Sequence, residues 1–393
     1  MTNNLLVLLL FILFSACKPT KVPSVSNEDE LIVKGHVDSI IEPIMREYNI
    51  AGMAIAVTLN GQHYFYNYGV ASKETQQAVT NGTLFEIGSI SKIFTATMAA
   101  YAQVEGKLSL ADPVSKHLPE LQGSSFDKIT LLNLGTYTSG GLPLQVPEEI
   151  TNDSQFMDYL KHWQAEFPAG TRRLYSNPSI GLLGMVTARS LNKSFEDEIE
   201  KRLFPALGMR HSYINIPADQ LVNYAQGYSK KDEPTRVNPG IIASEAYGVK
   251  STSTDLIRFV DANMQVISIN EKLKRAITDT HRGYYTIGDM TQDLVWEQYT
   301  YPVTLKKLLV GNSPRVIFEP NPAIKLIPAL APQAKVLINK TGSTNGFGAY
   351  VAFVPSHKIG IVILANKNYP IDSRVSAAHQ ILTQLESRAA SKK

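Results

Sequence analysis

The densest chemistry in the chain lies in Phe85-Glu86-Ile87-Gly88-Ser89-Ile90-Ser91-Lys92, which runs into a helical stretch containing Ile93, Phe94 and Met98. A serine and a lysine three residues apart on a helix share one face. A hydroxyl at a helix start sits where the positive end of the dipole favours developing negative charge. That field and burial together lower a lysine's pKa and make it a proton acceptor. The spacing therefore allows nucleophilic catalysis by Ser89 with Lys92 as base. The bare pattern is weak, because Ser125-Phe126-Asp127-Lys128 and Ser190-Leu191-Asn192-Lys193 repeat it.

Two later motifs add partners. In Tyr175-Ser176-Asn177, a tyrosine near a lysine loses its proton more easily and acts as a base, while the Asn177 amide orients a ligand amide. Tyr213-Ile214-Asn215 has the same form, and a packed aromatic is the commoner use of such a tyrosine. Asn339-Lys340-Thr341-Gly342-Ser343-Thr344-Asn345-Gly346 follows the apolar Val336-Leu337-Ile338, which places Lys340 and Thr341 on a strand. There Lys340 offers a point charge to a carboxylate, Thr341 a hydroxyl donor, and Gly342 close access to the backbone. A glycine-rich turn ending a strand is the plain alternative. The combination carries the argument: nucleophile, base and carboxylate clamp around one cleft make an active site.

The elements that must position these residues come from both ends of the chain. In residues 28–48, Leu31, Val37, Ile40, Ile41 and Ile44 recur at helical spacing. Residues 52–59 and 63–68 are β-rich, with Asn60-Gly61 as a hairpin turn. Residues 349–354 and 358–365 form a second strand pair turning at 355–357, and 373–387 is helical again. Between the pairs convincing strands are few, and 99–104, 156–163, 180–189 and 195–203 read as helices. The pattern predicts a two-lobed α/β (α+β) architecture: an antiparallel sheet flanked by helices and built from both chain ends, plus a mainly helical insertion. The lobes are 28–105 with 240–393, and 106–239, and a ligand cleft is expected between them.

On these motifs the chain resembles the class C β-lactamases, within the wider penicillin-recognising serine enzymes. The resemblance runs from about residue 28 to the C-terminal helix. It includes Gln145-Val146-Pro147, Tyr175-Ser176-Asn177-Pro178-Ser179-Ile180-Gly181 and Ala246-Tyr247-Gly248-Val249-Lys250-Ser251-Thr252. It continues through Lys340-Thr341-Gly342-Ser343 to Tyr350, and through Leu364-Ala365-Asn366-Lys367-Asn368-Tyr369-Pro370. It implies that Ser89 attacks a lactam carbonyl, with Lys92 and Tyr175 sharing the removal of its proton. It further implies an oxyanion hole from the N–H groups of Ser89 and Ser343, and side-chain amides at Gln145 and Asn177 for an acylamino group. Tyr247 becomes a wall of the site, Lys340 and Thr341 with Arg374 hold the substrate carboxylate, and Gly342 and Asn368 are counted among the substrate-binding residues. The expected substrates are β-lactams, cephalosporins in preference, handled without cofactor or metal by a monomer. In class A relatives the second motif is Ser-Asp-Asn and a glutamate activates the deacylating water; here Tyr175 takes that task. Two positions depart from the commoner class C pattern: Asn339 stands where His is frequent and Ile371 where Asn is frequent.

A DD-peptidase or penicillin-binding sensor shares this nucleophile but retains the acyl group, whereas family esterases often lack the lysine of the third motif. No Gly-x-Ser-x-Gly is present, and the 8 histidines contain no His-x-His pair to suggest a metal. Net charge is only +3 and the basic residues are scattered, which gives no nucleic-acid groove. Residues 5–14 are an unbroken apolar run, too short to span a bilayer and suited to a secretory signal, although no positive side chain precedes it. It leads to Cys17, the only cysteine, so no intrachain disulfide forms. Signal 1–17 ends either at a plain cleavage site or at a lipidated Cys17; both put the enzyme in the periplasm.

Overall fold

In the computed structural model, residues 27–391 are described. The signal segment and Cys17 lie outside the described residues.

Nine strands form one sheet: β1 (Gly52–Leu59), β2 (Gln62–Gly69), β3 (Gly283–Ile287), β4 (Met290–Gln292), β5 (Glu297–Thr300), β6 (Ile324–Leu330), β7 (Val336–Ser343), β8 (Gly348–Val354) and β9 (Ile359–Ala365). Their order is β6-β3-β4-β5-β7-β8-β9-β1-β2, antiparallel at every step. The N-terminal strand β1 pairs with the late strand β9, Val57 opposite Ile361, so both chain ends share the sheet centre. Asn60 and Gly61, at φ 52 and 84, make the tight turn between β1 and β2.

Six longer helices matter for the site: α1 (Asn27–Tyr48), α2 (Ser91–Val104), α3 (Asn177–Leu191), α4 (Ser253–Asn263), α5 (Glu271–Thr280) and α6 (Ile371–Ser391). The central strands are buried on both faces. Ala54, Ala56, Val351 and Leu364 join the core shared with α2, α3, α4 and α5. Met53, Ile55, Val57, Ala352 and Ile363 join a second core with Val37 and Ile41 of α1 and Val375, Ile381 and Leu385 of α6. Covering both faces explains why these strands read as continuous apolar runs, where a half-solvated strand alternates.

The fold is the α+β arrangement the sequence indicates, with a larger sheet than the two strand pairs suggested. β3, β4 and β5 lie in the stretch where strands looked few. They are short, three to five residues each, and rich in Tyr, Thr and Gln, so local apolar periodicity says little about them although they pair with one another in sequence.

Candidate active site

Ser89 sits in a 3₁₀ turn, Gly88–Ile90, that leads directly into α2. Every residue from 83 to 100 is buried except Ser89, which is partly exposed. The turn is wedged against the end of β7. Gly88 has φ +50, and a Cβ there would lie 2.6 Å from Ser343 N; a Cβ on Gly342 would lie 2.0 Å from the Ile87 carbonyl oxygen. Backbone thus packs on backbone, bringing the nucleophile turn against the N–H of Ser343. The sequence reading held Gly342 open for a ligand; its missing side chain makes room for the Ser89 turn.

Lys92, one turn on, is wholly buried. Its Nζ donates to Ser89 Oγ at 2.9 Å and to the Ala246 carbonyl at 2.7 Å. Burial lowers its pKa to about 8; Tyr175 opposes the shift and the Lys340 charge adds to it. Helix start and burial were both expected to act on Lys92; burial is the first cause of its lowered pKa.

Tyr175 is placed by the start of α3. Ser176 is the N-cap, accepting from Ser179 N at 3.1 Å, and Pro178 occupies the first turn, where no N–H is needed. The Tyr175 hydroxyl is buried and makes no well-formed hydrogen bond. Lys92 Nζ and Lys340 Nζ lie 5.2 and 5.0 Å from its ring centre. Burial pushes the phenol up, but the charges of Lys340 and Lys92, helped by the Ser89 hydroxyl, bring it down to about 8. Ser89, Lys92, Tyr175 and Lys340 therefore form one cluster, in which Lys92 and Tyr175 are both brought to about 8 and act on each other.

The remaining residues arrange around this cluster. Asn177 Nδ2 donates to Gln145 Oε1 at 2.8 Å, and Asn177 N to the Leu144 carbonyl at 2.9 Å, which fixes the loop carrying Gln145. Asn177 Oδ1 is buried and unpartnered. Tyr247 is half-buried and follows Ala246, the residue that holds Lys92. Thr341 pairs opposite Tyr350, between Lys340 and Gly342 on β7. Asn368 accepts from Arg374 Nη2 at 2.8 Å. Arg374 also donates to the Gly342 carbonyl at 2.8 Å and to Ser343 Oγ at 2.9 Å, and it is fully buried. Expected beside a substrate carboxylate, Arg374 stands instead behind the strand and braces its end.

The competing motif matches stay apart from the cluster. Ser125 and Ser190 donate to the carbonyls of Trp163 and Thr187, and Tyr213 to that of Arg210. Sequence reasoning missed the Ala246 carbonyl and Arg173, whose buried partner Glu297 is 124 positions away; no local signal reports such a pair. Asn339, one of the two departures, is buried on β7 and donates to the Glu297 carbonyl at 2.9 Å. Among the described residues, no group of side chains suited to a metal ion occurs.

Comparison with known proteins gives the cluster a family. Residues 37–386 match the family described as Beta-lactamase. The chain is 52% identical to a β-lactamase of Pseudomonas fluorescens over 350 residues, covering 89% of this chain and 98% of the relative. It superposes on a class C β-lactamase solved in complex with cefoxitin with a TM-score of 0.89, at 56% identity, covering 91% of this chain and 99% of the other. A β-lactamase/D-alanine carboxypeptidase of Pseudomonas syringae gives 0.88, at 52% identity and 90% and 99% coverage. A serine–lysine–tyrosine cluster on this fold, with relatives so near over almost the whole chain, makes the protein a member of the β-lactamase family, a class C serine β-lactamase that hydrolyses β-lactams.

Proposed function

We propose that hydrolysis runs through an acyl-enzyme on Ser89, with cephalosporins as the preferred substrates. The observation that carries this reading is the 2.9 Å bond from Lys92 to Ser89 Oγ beside a phenol brought down to about 8. Ser89 Oγ passes its proton to the Lys92–Tyr175 pair as it attacks the lactam carbonyl, and the developing oxyanion meets the N–H groups of Ser89 and Ser343. The pair then returns the proton to the departing lactam nitrogen. In the second half Tyr175 takes a proton from water, which attacks the ester carbonyl, and passes it to Ser89 Oγ as the C–O bond breaks, freeing Ser89. Gln145 and Asn177 hold the acylamino side chain, Tyr247 flanks it, and Lys340 and Thr341 hold the carboxylate. Asn368 contributes through the strand end it shares with Arg374.

Steady-state hydrolysis of nitrocefin and a penicillin by the purified mature chain tests the reading. Ser89→Ala is expected to lower kcat by roughly 10⁴-fold or more; near-normal turnover by that variant overturns it. A D-alanine carboxypeptidase activity is the second reading, favoured by the similarity to the P. syringae protein named for both activities. Release of D-alanine from a D-Ala-D-Ala peptide distinguishes them. The enzyme acts in the periplasm as a monomer on this proposal, with Cys17 at the end of its signal. Mass spectrometry of the mature N-terminus decides between lipidated Cys17 and an unmodified residue beyond it.

A further inference from the structure

Beside the Tyr175 ring lies an ion pair that the chemistry above does not use. Arg173 is fully buried, two residues before Tyr175. Its Nε donates to Gln292 Oε1 at 2.6 Å, Nη1 to the Val316 carbonyl at 2.8 Å and Nη2 to Glu297 Oε1 at 2.7 Å. The plane fixed by these three bonds presents its face to two rings. The guanidinium carbon is 5.2 Å from the centre of Tyr137 and 5.7 Å from that of Tyr175, and the two rings are 4.7 Å apart. Asn339 secures the acidic member to β7 through the Glu297 carbonyl, next to Lys340.

A buried ion pair is a poor device for stability, since an apolar pair of similar volume packs as well. It supplies two things an apolar pair cannot: a rigid flat surface with each of its three nitrogens hydrogen-bonded, and a cation whose charge is balanced locally. We propose that Arg173, with Glu297 as its counter-ion, is the positioning residue of Tyr175, holding the ring in the pose that reaches Ser89. The inference rests on the reading of Tyr175 as proton acceptor. The charged and titratable groups that face Tyr175 are Lys92 from α2, Lys340 from β7, Ser89, Tyr137 and Arg173. Those around Glu297 are Arg173, Tyr137, Asp293, Tyr299 and Tyr350.

The two halves of the pair act on Tyr175 with opposite sign, which gives a test that a merely structural role fails. Nitrocefin hydrolysis by the full mature chain is followed from about pH 5 to about pH 10, where the acid limb of kcat/KM reports the base of the free enzyme. Glu297→Gln leaves the cation unbalanced and moves the acid limb to lower pH. Arg173→Met leaves the carboxylate unbalanced and moves it to higher pH. Each shift is about half a pH unit or more. The double variant carries neither charge and brings the limb back near that of the unaltered enzyme, while kcat stays about 10–100-fold low with KM within about threefold, because the flat support is gone. Where Arg173→Met does not fold, Glu297→Gln and the double variant carry the test. A double variant with full kcat, or a Glu297→Gln limb that stays put or moves up, overturns the proposal. Tyr175→Phe made alongside separates the failures. Full activity there removes the role of Tyr175 itself, whereas a slow Tyr175→Phe with Arg173 and Glu297 variants like the unaltered enzyme removes only the positioning role.

Discussion

The two sides of Tyr175 solve opposite electrostatic problems with the same kinds of residue. In front, Lys92 and Lys340 are buried, and among the described residues neither forms an ion pair; their bonds go to a hydroxyl and backbone carbonyls. Behind, Arg173 is buried as deeply but spends one of its donors on a carboxylate. An unbalanced cation lowers the pKa of its neighbours, and a balanced one mainly fixes geometry. On the proposed mechanism the front makes Ser89 reactive at a cost in stability, while the back, as we infer, holds the apparatus still.

The largest expected effect breaks the front at its centre. Tyr175→Phe keeps the ring and its packing but removes the acceptor, and kcat should fall by roughly 10³-fold. Nitrocefin turnover with a burst of acylation would show which half-reaction suffers.

Lys340→Met sharpens the comparison by removing one unbalanced cation. Lys340 lowers both Lys92 and Tyr175, so without it both rise and the acid limb of kcat/KM moves to higher pH, by about one unit. Its lost bond to the substrate carboxylate costs a further 1.5–3 kcal/mol or so, roughly tenfold to a hundredfold in kcat/KM. An unmoved limb would show that the front does not work by uncompensated charge.

The smallest effect concerns a carboxyl with no cation at all. Asp293, four residues before Glu297, is fully buried and neither oxygen has a partner. Burial raises its pKa well above the ordinary carboxylate range, and the Glu297 charge adds to this. With the folded pKa above the unfolded value near 3.9, the native state is favoured while the carboxyl is protonated and loses stability as pH climbs. Asp293→Asn should accordingly stabilise the chain by about 1 kcal/mol or more at pH near 8 and change little near pH 4, read from thermal unfolding. An equal gain at both would mean packing, not ionisation, is responsible.

How far the sequence disclosed this depends on distance along the chain. The serine–lysine turn was legible because both residues lie within one helical turn. The start of α3 was legible in principle from Ser176 as a cap and Pro178 in the first turn, although apolar periodicity alone begins it three residues late. Residues defined by remote partners were not legible in their roles. Gly342 is glycine because of the Ile87 carbonyl, and Arg374 lies buried because Gly342, Ser343, Asn368 and Tyr369 take its donors. Arg173 is not singled out at all, because its partner Glu297 lies 124 positions away.

The wedge between Gly88 and Ser343 has a consequence for how activity is gained. Ser89 belongs to the first quarter of the chain and Ser343, its oxyanion donor on the proposed mechanism, to the last, and they are brought together where a helical turn packs closely on a strand end. A nascent or truncated chain with perfect local structure around Ser89 lacks half of its anion pocket, because the other half is still to be threaded into the sheet. Turnover is thus an all-or-none reporter of completed topology. Splitting the molecule between these segments should leave two silent fragments that regain turnover only on reassembly.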